Sequence, residues 1–373
     1  MQYHFNQFIS TLEAHSNVSD VLDGDNLTQV KKFEKEFSSY IGVKYALATS
    51  HGTSALHLAM LALEIKRGDK IICSVNAHPN VPEVVRHFDA EPIFIDIDEQ
   101  TYNIDLNLLE KYLKENSSKK LKAVIVTHIG GQTVDLKRLY ELGQRYDVRI
   151  VEDAGDSFGC TFKGQKIGSF TDGIVCFDFS PHMKKNICNG GMLVTNDADI
   201  IHRARLLSEH GMTHHEGSLE YIYDVVDIGN DYSMGELDAA YLRAQLLKQD
   251  ENLQKYKKIA KLYDKYLEGV EHIELSNPIS DEHPYLLYII KVDKNRDSFA
   301  MELKKVGVDT ALHYIPLHLL QYYKTKYNLR INDFPVALKM YQQMLSLPIY
   351  PSLEEKDVKL ICDKIKKVAL TRV

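Results

Sequence analysis

Runs of branched apolar residues, each set off by a stretch with helical spacing, constrain this chain more than any other feature. "DKIICSV", "EPIFIDID" (Glu91–Asp98), "KAVIVTHI" (Lys122–Ile129) and "VRIVEDAG" (Val148–Gly155) read as strands buried on both faces. "TSALHLAMLALEI" (Thr53–Ile65), "VPEVVRHFDA", "DLNLLEKYLKEN" and "DLKRLYELGQRYD" stand around and between them as amphipathic helices. Strands without polar alternation, joined through helices, predict an α/β fold with a mostly parallel central sheet and helices on both faces.

Past about Gly235 the pattern changes. "GELDAAYLRAQLLKQDENLQKYKKIAKLYDKYLEGV" (Gly235–Val270) reads as one long helix crossing between domains. "YLLYIIKVD" (Tyr285–Asp293) is a strand, and "DSFAMELKKVGVD" and "EEKDVKLICDKIKKVAL" are helices. The 373 residues are too many for one ordinary core. The expected division is a large domain over residues 1–245 and a small C-terminal α+β domain over residues 246–373.

With 44% hydrophobic and 26% charged residues, the composition is that of a soluble globular protein. A formal charge of −7 argues against nucleic acid as a partner, because that binding needs clustered Lys and Arg. The opening "MQYHFNQFISTLEAHS" lacks the basic-then-apolar layout of a signal peptide, and no apolar run is long enough to span a bilayer. The five cysteines are scattered, odd in number and mostly within apolar runs, as expected of reduced thiols in a cytoplasmic protein.

Three places carry candidate chemistry. In "ATSHGTSALH" (Ala48–His57) a strand end turns through Gly52 into a helix, whose free amides, with the Thr53 and Ser54 hydroxyls, would hold an anion. The alternative there is a plain helix cap. "IVEDAGDSFG" (Ile150–Gly159) sets Glu152 and Asp153 at the carboxyl end of a buried strand, where open α/β sheets bind ligands. An acid in that place needs a cation, either a protonated ring nitrogen or a structural Lys or Arg. "FSPHMKKNICNGG" (Phe179–Gly191) puts Lys184 and Lys185 in a short loop between two apolar strands. A lysine in a poorly solvated pocket loses its charge readily and can form a Schiff base. Walker A, G-x-G-x-x-G, HExxH and CxxC patterns are absent. "MTHHEG" (Met212–Gly217) reads as a polar loop, and no metal site is expected.

Anion cup, strand-end acid and downstream lysine occur in the order of a fold-type I pyridoxal-phosphate enzyme. The chain resembles the DegT/DnrJ/EryC1/StrS family of sugar-nucleotide aminotransferases over nearly its whole length. The resemblance rests on "FEKEFSSYIGVKYALATSHGTSALHLAMLAL", "DAEPIFIDID", "THIGGQTVDL", "VEDAGDSFGCTFKGQKIGSFTD", "GGMLVTND", "LHYIPLHLLQYY" and "LSLPIYPSL". It implies pyridoxal 5'-phosphate as cofactor, an amino-acid donor such as glutamate, a keto-sugar nucleotide as acceptor, and a homodimer with shared active sites. By position it makes Lys185 the lysine that bonds the cofactor, with Lys184 as its rival. Asp153 pairs with the pyridine nitrogen, and Gly52, Thr53 and Ser180 hold the phosphate. His313, Tyr314 and His318 in "HYIPLH" stand on the substrate side, or else pack between domains.

The departures from the family pattern cluster at the cofactor. His51 replaces the usual Ser, His78 the stacking aromatic, and Asp156 the Gln or His after the pyridine-binding Asp. Asp231 stands where a neighbouring subunit usually supplies Asn, and Ser233 where Arg is usual. These changes leave two other outcomes open. One is a pyridoxal-phosphate-dependent sugar dehydratase, with His182 in the lysine's place. The other is a non-catalytic relative that binds a sugar nucleotide.

Overall fold

The computed structural model describes residues 2–5, 7, 10–24, 28–170, 173–180, 187–214, 219, 221–275, 278, 280 and 282–371. Two helices, α1 (Leu12–Leu22) and α2 (Gln29–Ile41), precede β1 (Tyr45–Thr49) and α3 (Gly52–Ala62). Strand and helix then alternate through β2 (Lys70–Ser74), α4 (Asn80–Arg86), β3 (Glu91–Ile95), α5 (Leu106–Asn116), β4 (Leu121–Thr127), α6 (Leu136–Tyr146) and β5 (Arg149–Asp153). A small hairpin, β6 (Thr161–Phe162) and β7 (Gln165–Lys166), leads to β8 (Ile174–Asp178), β9 (Gly191–Thr195) and α7 (Ala198–Ser208).

β1, β9, β8, β5, β4, β2 and β3 form one seven-stranded sheet in that order. All neighbours pair in parallel except at β9, which runs antiparallel to both β1 and β8. The pleat divides each strand's side chains between two cores. Leu47, Ile71, Ile125, Val151, Cys176 and Leu193 lie on the face covered by α3, α4 and α7. Ala46, Ile72, Val124, Ile150, Val175 and Val194 lie on the face covered by α2, α5, α6 and the start of the next long helix. The alternating α/β pattern therefore becomes the expected mostly parallel sheet, sealed on both sides.

β10 (Met212–His214) and β11 (Tyr223–Val225) pair as an antiparallel hairpin, so the first half of "MTHHEG" is a strand where a loop is predicted, while His215, Glu216 and Gly217 lie outside the described residues. Three-residue strands leave too little alternation to be read from sequence. α8 (Glu236–Leu267) follows. Ala239, Leu242 and Leu246 in its first half join the core around the sheet, and Tyr256, Ile259, Tyr263 and Leu267 in its second half join a separate core. That third core contains β13 (Tyr288–Val292), α9 (Arg296–Lys305) and α12 (Glu355–Leu370). β12 (Ile273–Glu274), β13 and β14 (Met344–Leu347) make its three-stranded antiparallel sheet. α10 (Gln321–Lys326) and α11 (Pro335–Gln343) lie between α9 and β14 in the chain. β13 is shorter than predicted because Tyr285 has φ +57°, which breaks an extended backbone. Among the described residues, no helix is long and apolar enough to cross a membrane.

Candidate active site

Thr127, Asp153 and Asp178 end β4, β5 and β8 with the same pleat parity as Ile125, Val151 and Cys176. All three line a cleft of about 450 Å³ at the carboxyl edge of the sheet. That volume lies within the range of small-molecule sites. His51, Gly52, Thr53 and Ser54 from the start of α3 line it, as do His78, Asn80, Gly155, Asp156, Ser180 and Tyr314.

The cup is built at the first turn of α3. His51, the N-cap residue, is extended and places no side-chain hydrogen bond on the helix amides. The Gly52 amide donates to Asp178 Oδ1 at 3.2 Å, and a Cβ on Gly52 would lie 2.3 Å from Asp178 Cβ. Only glycine permits that approach. Gly191 meets the same turn from the other side, where a Cβ would lie 2.3 Å from the His51 carbonyl oxygen. Ser54 Oγ lies 2.9 Å from Ser50 Oγ, and Asn80 Nδ2 donates to Thr53 Oγ1 at 3.3 Å.

The acids at the end of β5 part company. Asp153 faces the cleft, only 9% exposed, with Thr127 Oγ1 donating to its Oδ2 at 3.1 Å and the Gly155 amide to its Oδ1 at 3.4 Å. Glu152 faces the opposite core and is wholly buried. Tyr140 donates its hydroxyl to Glu152 Oε1 at 2.5 Å, and His128 Nε2 lies 2.8 Å from Oε2. Asp153 has the position of a ligand-binding acid, and Glu152 that of a structural one.

"FDFS" repeats this division one strand over. Phe177 and Phe179 enter an aromatic cluster with Phe33, Phe37 and Phe158, at ring-centroid separations between 5.2 and 6.3 Å. Burying each ring contributes on the order of 2 kcal/mol and fixes the strand end. Asp178 and Ser180 therefore turn toward the cleft. Asp178 Oδ1 accepts from the Ser180 hydroxyl at 2.6 Å and from the Ser180 amide at 3.0 Å, besides Gly52. His182, Lys184 and Lys185 lie outside the described residues.

Tyr314 comes from the C-terminal part of the chain, its hydroxyl donating to Asp156 Oδ2 at 3.3 Å and its amide to Asn76 Oδ1 at 3.1 Å. Burial, with the charges of Asp156 and Asp153, holds that hydroxyl well above its ordinary pKa. The His78 ring lies edge-on to Tyr314 at 5.8 Å. His313 and His318 do not line the cleft. His313 is buried with Nδ1 2.9 Å from Ser346 Oγ, and His318 with Nε2 3.2 Å from the Ile331 carbonyl oxygen. Asp231 is exposed beside the β10–β11 hairpin, accepting from the Ser233 amide at 2.9 Å. Hydrogen bonds from Ser233 hold its carboxyl below the usual range.

Four lining residues are not among those the sequence points to: Thr127, Asn80, Gly155 and Asp178. Thr127 is paired in register with Asp153 across β4 and β5, so the strand-end rule that finds Asp153 reaches it too. Asp178, an acid at the end of β8, falls under the same rule, and Gly155 follows Asp153 by two residues; Asn80 carries no comparable local signal. Among the described lining residues there are three carboxylates and no Lys or Arg. A larger groove of about 740 Å³, reaching from Asp98 and Gln132 to Glu282, holds none of the predicted site residues.

Residues 10–366 match the model of the DegT/DnrJ/EryC1/StrS aminotransferase family. The spore coat polysaccharide biosynthesis protein SpsC of Bacillus subtilis is 31% identical, over 95% of this chain and 94% of that protein. The UDP-2-acetamido-2-deoxy-3-oxo-D-glucuronate aminotransferase of Pseudomonas aeruginosa is 30% identical, over 90% of this chain and 89% of that one. Among solved structures, a putative sugar aminotransferase of Streptococcus pneumoniae in its PMP-form superposes with a TM-score of 0.90 at 26% identity. It covers 98% of this chain and 99% of its own. The same protein in its PLP-form gives 0.89. A family match over nearly the whole length, on the fold those structures share, makes this chain a member of the DegT/DnrJ/EryC1/StrS aminotransferase family.

Proposed function

We propose that this protein is a pyridoxal 5'-phosphate-dependent aminotransferase that moves an amino group from an amino acid, glutamate first among candidates, to a keto-sugar nucleotide for amino-sugar and surface-glycan synthesis. The observation that carries the proposal is the buried Asp153 carboxylate, aimed into a cleft that also holds the cup at the start of α3. The donor set fits the cofactor's two poles. A carboxylate held by Thr127 and the Gly155 amide suits a protonated ring nitrogen, while the hydroxyls of Thr53, Ser54 and Ser180 and the α3 amides suit a phosphate.

When bound, the cofactor supplies an electron sink for the bond broken at the substrate carbon. Asp153 would hold the proton at the ring nitrogen. Gly52, Thr53, Ser54 and Ser180 would orient the phosphate, and His78, Asp156 and Tyr314 would bound the cleft around the ring. Lys185 is assigned the anchoring amine, which would carry the proton between substrate and cofactor carbons; Lys184 is the alternative. His313 and His318, away from the cleft, are assigned to support of the "HYIPLH" segment rather than to substrate contact.

A homodimer belongs to the same reading. Tyr221, Ile222, Tyr223, Val225, Val226 and Ile228 stand exposed on and beside the β10–β11 hairpin, an apolar surface that a second copy would cover. Asp231, beside that hairpin, is assigned to the partner's site. The division at residues 245 and 246 falls within α8, whose first half packs into a core of the large sheet and whose second half packs into the C-terminal core.

Pyridoxal phosphate added to the purified chain should give an absorbance band beyond about 400 nm that borohydride bleaches, with the label mapping to Lys185. Glutamate should remove the band, and a panel of keto-sugar nucleotides should restore it. No uptake of cofactor would sink the reading, and ammonia release without amine transfer would replace it with elimination.

A further inference from the structure

We infer that the Asp178 carboxylate is a built-in competitor for the phosphate cup, so that this residue sets how strongly the site discriminates phosphate-bearing ligands. The inference rests on the cofactor reading above and concerns a residue which that reading leaves without a role.

The Ser180 hydroxyl has one proton to donate, and the Gly52 amide has one. Both are directed at Asp178 Oδ1, from 2.6 and 3.2 Å, and the Ser180 amide adds a third bond at 3.0 Å. These donors belong to two of the residues assigned to the phosphate. The carboxylate thus stands in for an anion in the cup, and an arriving phosphate meets donors already engaged and a like charge at contact distance.

The side chain cannot withdraw along its own strand. Its Cβ lies so near the first turn of α3 that a Cβ on Gly52 would be 2.3 Å away, and β8 is fixed from behind by Phe177 and Phe179. A phosphate that takes up the Ser180 hydroxyl and the Gly52 amide therefore competes with Asp178 for both protons. The other two carboxylates of the cleft have separate engagements: Thr127 and the Gly155 amide donate to Asp153, and Tyr314 to Asp156. Among the hydrogen bonds of the described residues, those from Gly52 and Ser180 go to Asp178.

The test is a binding measurement on the full-length chain by equilibrium dialysis, with pyridoxal 5'-phosphate and pyridoxal as probes. In the unaltered protein the phosphate should add only about tenfold to affinity, because displacing Asp178 offsets most of what the new bonds contribute. Asp178→Ser and Asp178→Asn should each tighten pyridoxal 5'-phosphate by about tenfold or more and leave pyridoxal unchanged. Inorganic phosphate should then compete more strongly in both variants. A phosphate contribution of about a thousandfold or more in the unaltered chain overturns the inference whether or not either variant folds. So does unchanged or weaker binding of pyridoxal 5'-phosphate in either folded variant. If the folded, unaltered chain binds neither probe, the cofactor reading itself fails and takes this inference with it.

Discussion

Two sides of one strand end, a peptide bond apart, show how the sheet separates support from chemistry. On the closed side Glu152 is wholly buried, with Tyr140 and His128 on its two oxygens. On the open side Asp153 keeps a face to the cleft, with smaller donors, Thr127 and the Gly155 amide, holding it in place. The same functional group takes two different roles because consecutive side chains point to opposite faces. Burial with large partners makes one acid a structural element. Partial burial beside an open cleft leaves the other available to a ligand.

The strongest way to test that contrast is Asp153→Ala. It should lower transamination turnover by about a hundredfold or more with an unchanged melting temperature, since it removes a preorganised charge at the reacting group. If it instead unfolds the protein, the open side is structural too. Glu152→Ala should do the opposite. It should cost about 3 kcal/mol in denaturant unfolding by leaving buried His128 and Tyr140 groups without their acceptor, while the folded fraction keeps its specific activity. Tyr140→Phe removes one bond to that carboxylate and should cost about 1.5 kcal/mol in the same assay. Thr127→Val, the matching change on the open side, should lower turnover by about tenfold or less and leave stability nearly unchanged.

The smallest expected effect concerns His57, behind the cup on α3. Burial, and the nearby His87, lower its pKa to about 4. Between the ordinary value near 6.5 and that value, the unfolded chain takes up a proton that the folded chain refuses. Stability should therefore fall as pH drops from about 6.5 toward 4. His57→Gln should flatten that acid limb by about 2 °C or less in melting temperature at pH 5.

Much of the site is legible in the chain because its signals are local. A strand-end acid and a Gly-Thr-Ser turn into a helix carry residue types that chemistry demands, the family resemblance adds Ser180, His78, Asp156 and Tyr314, and the structure brings these with Asp153, Gly52, Thr53 and Ser54 to one cleft. Neighbours in those motifs separate by packing. His313 and Tyr314 are adjacent, yet one meets Ser346 in the interior and the other meets Asp156 in the cleft. Thr127 was within reach of the strand-end rule, because it is the register partner of Asp153. So was Asp178, the last residue of β8, whereas Asn80 was not, since what places it is contact with α3 rather than any local pattern.

By itself the sequence determined the layered sheet, through buried runs alternating with helical periods, and the side of each strand from which a residue would project. Parity alone separates Glu152 from Asp153, and the phenylalanines of "FDFS" from Asp178 and Ser180. Tertiary structure alone decided what those side chains would meet. Gly52 and Asp178 are 126 residues apart, and the crossing of β8 past the start of α3 makes them hydrogen-bonded neighbours. Periodicity fixes direction because it is local, whereas the choice of partner depends on which strands the completed sheet sets side by side.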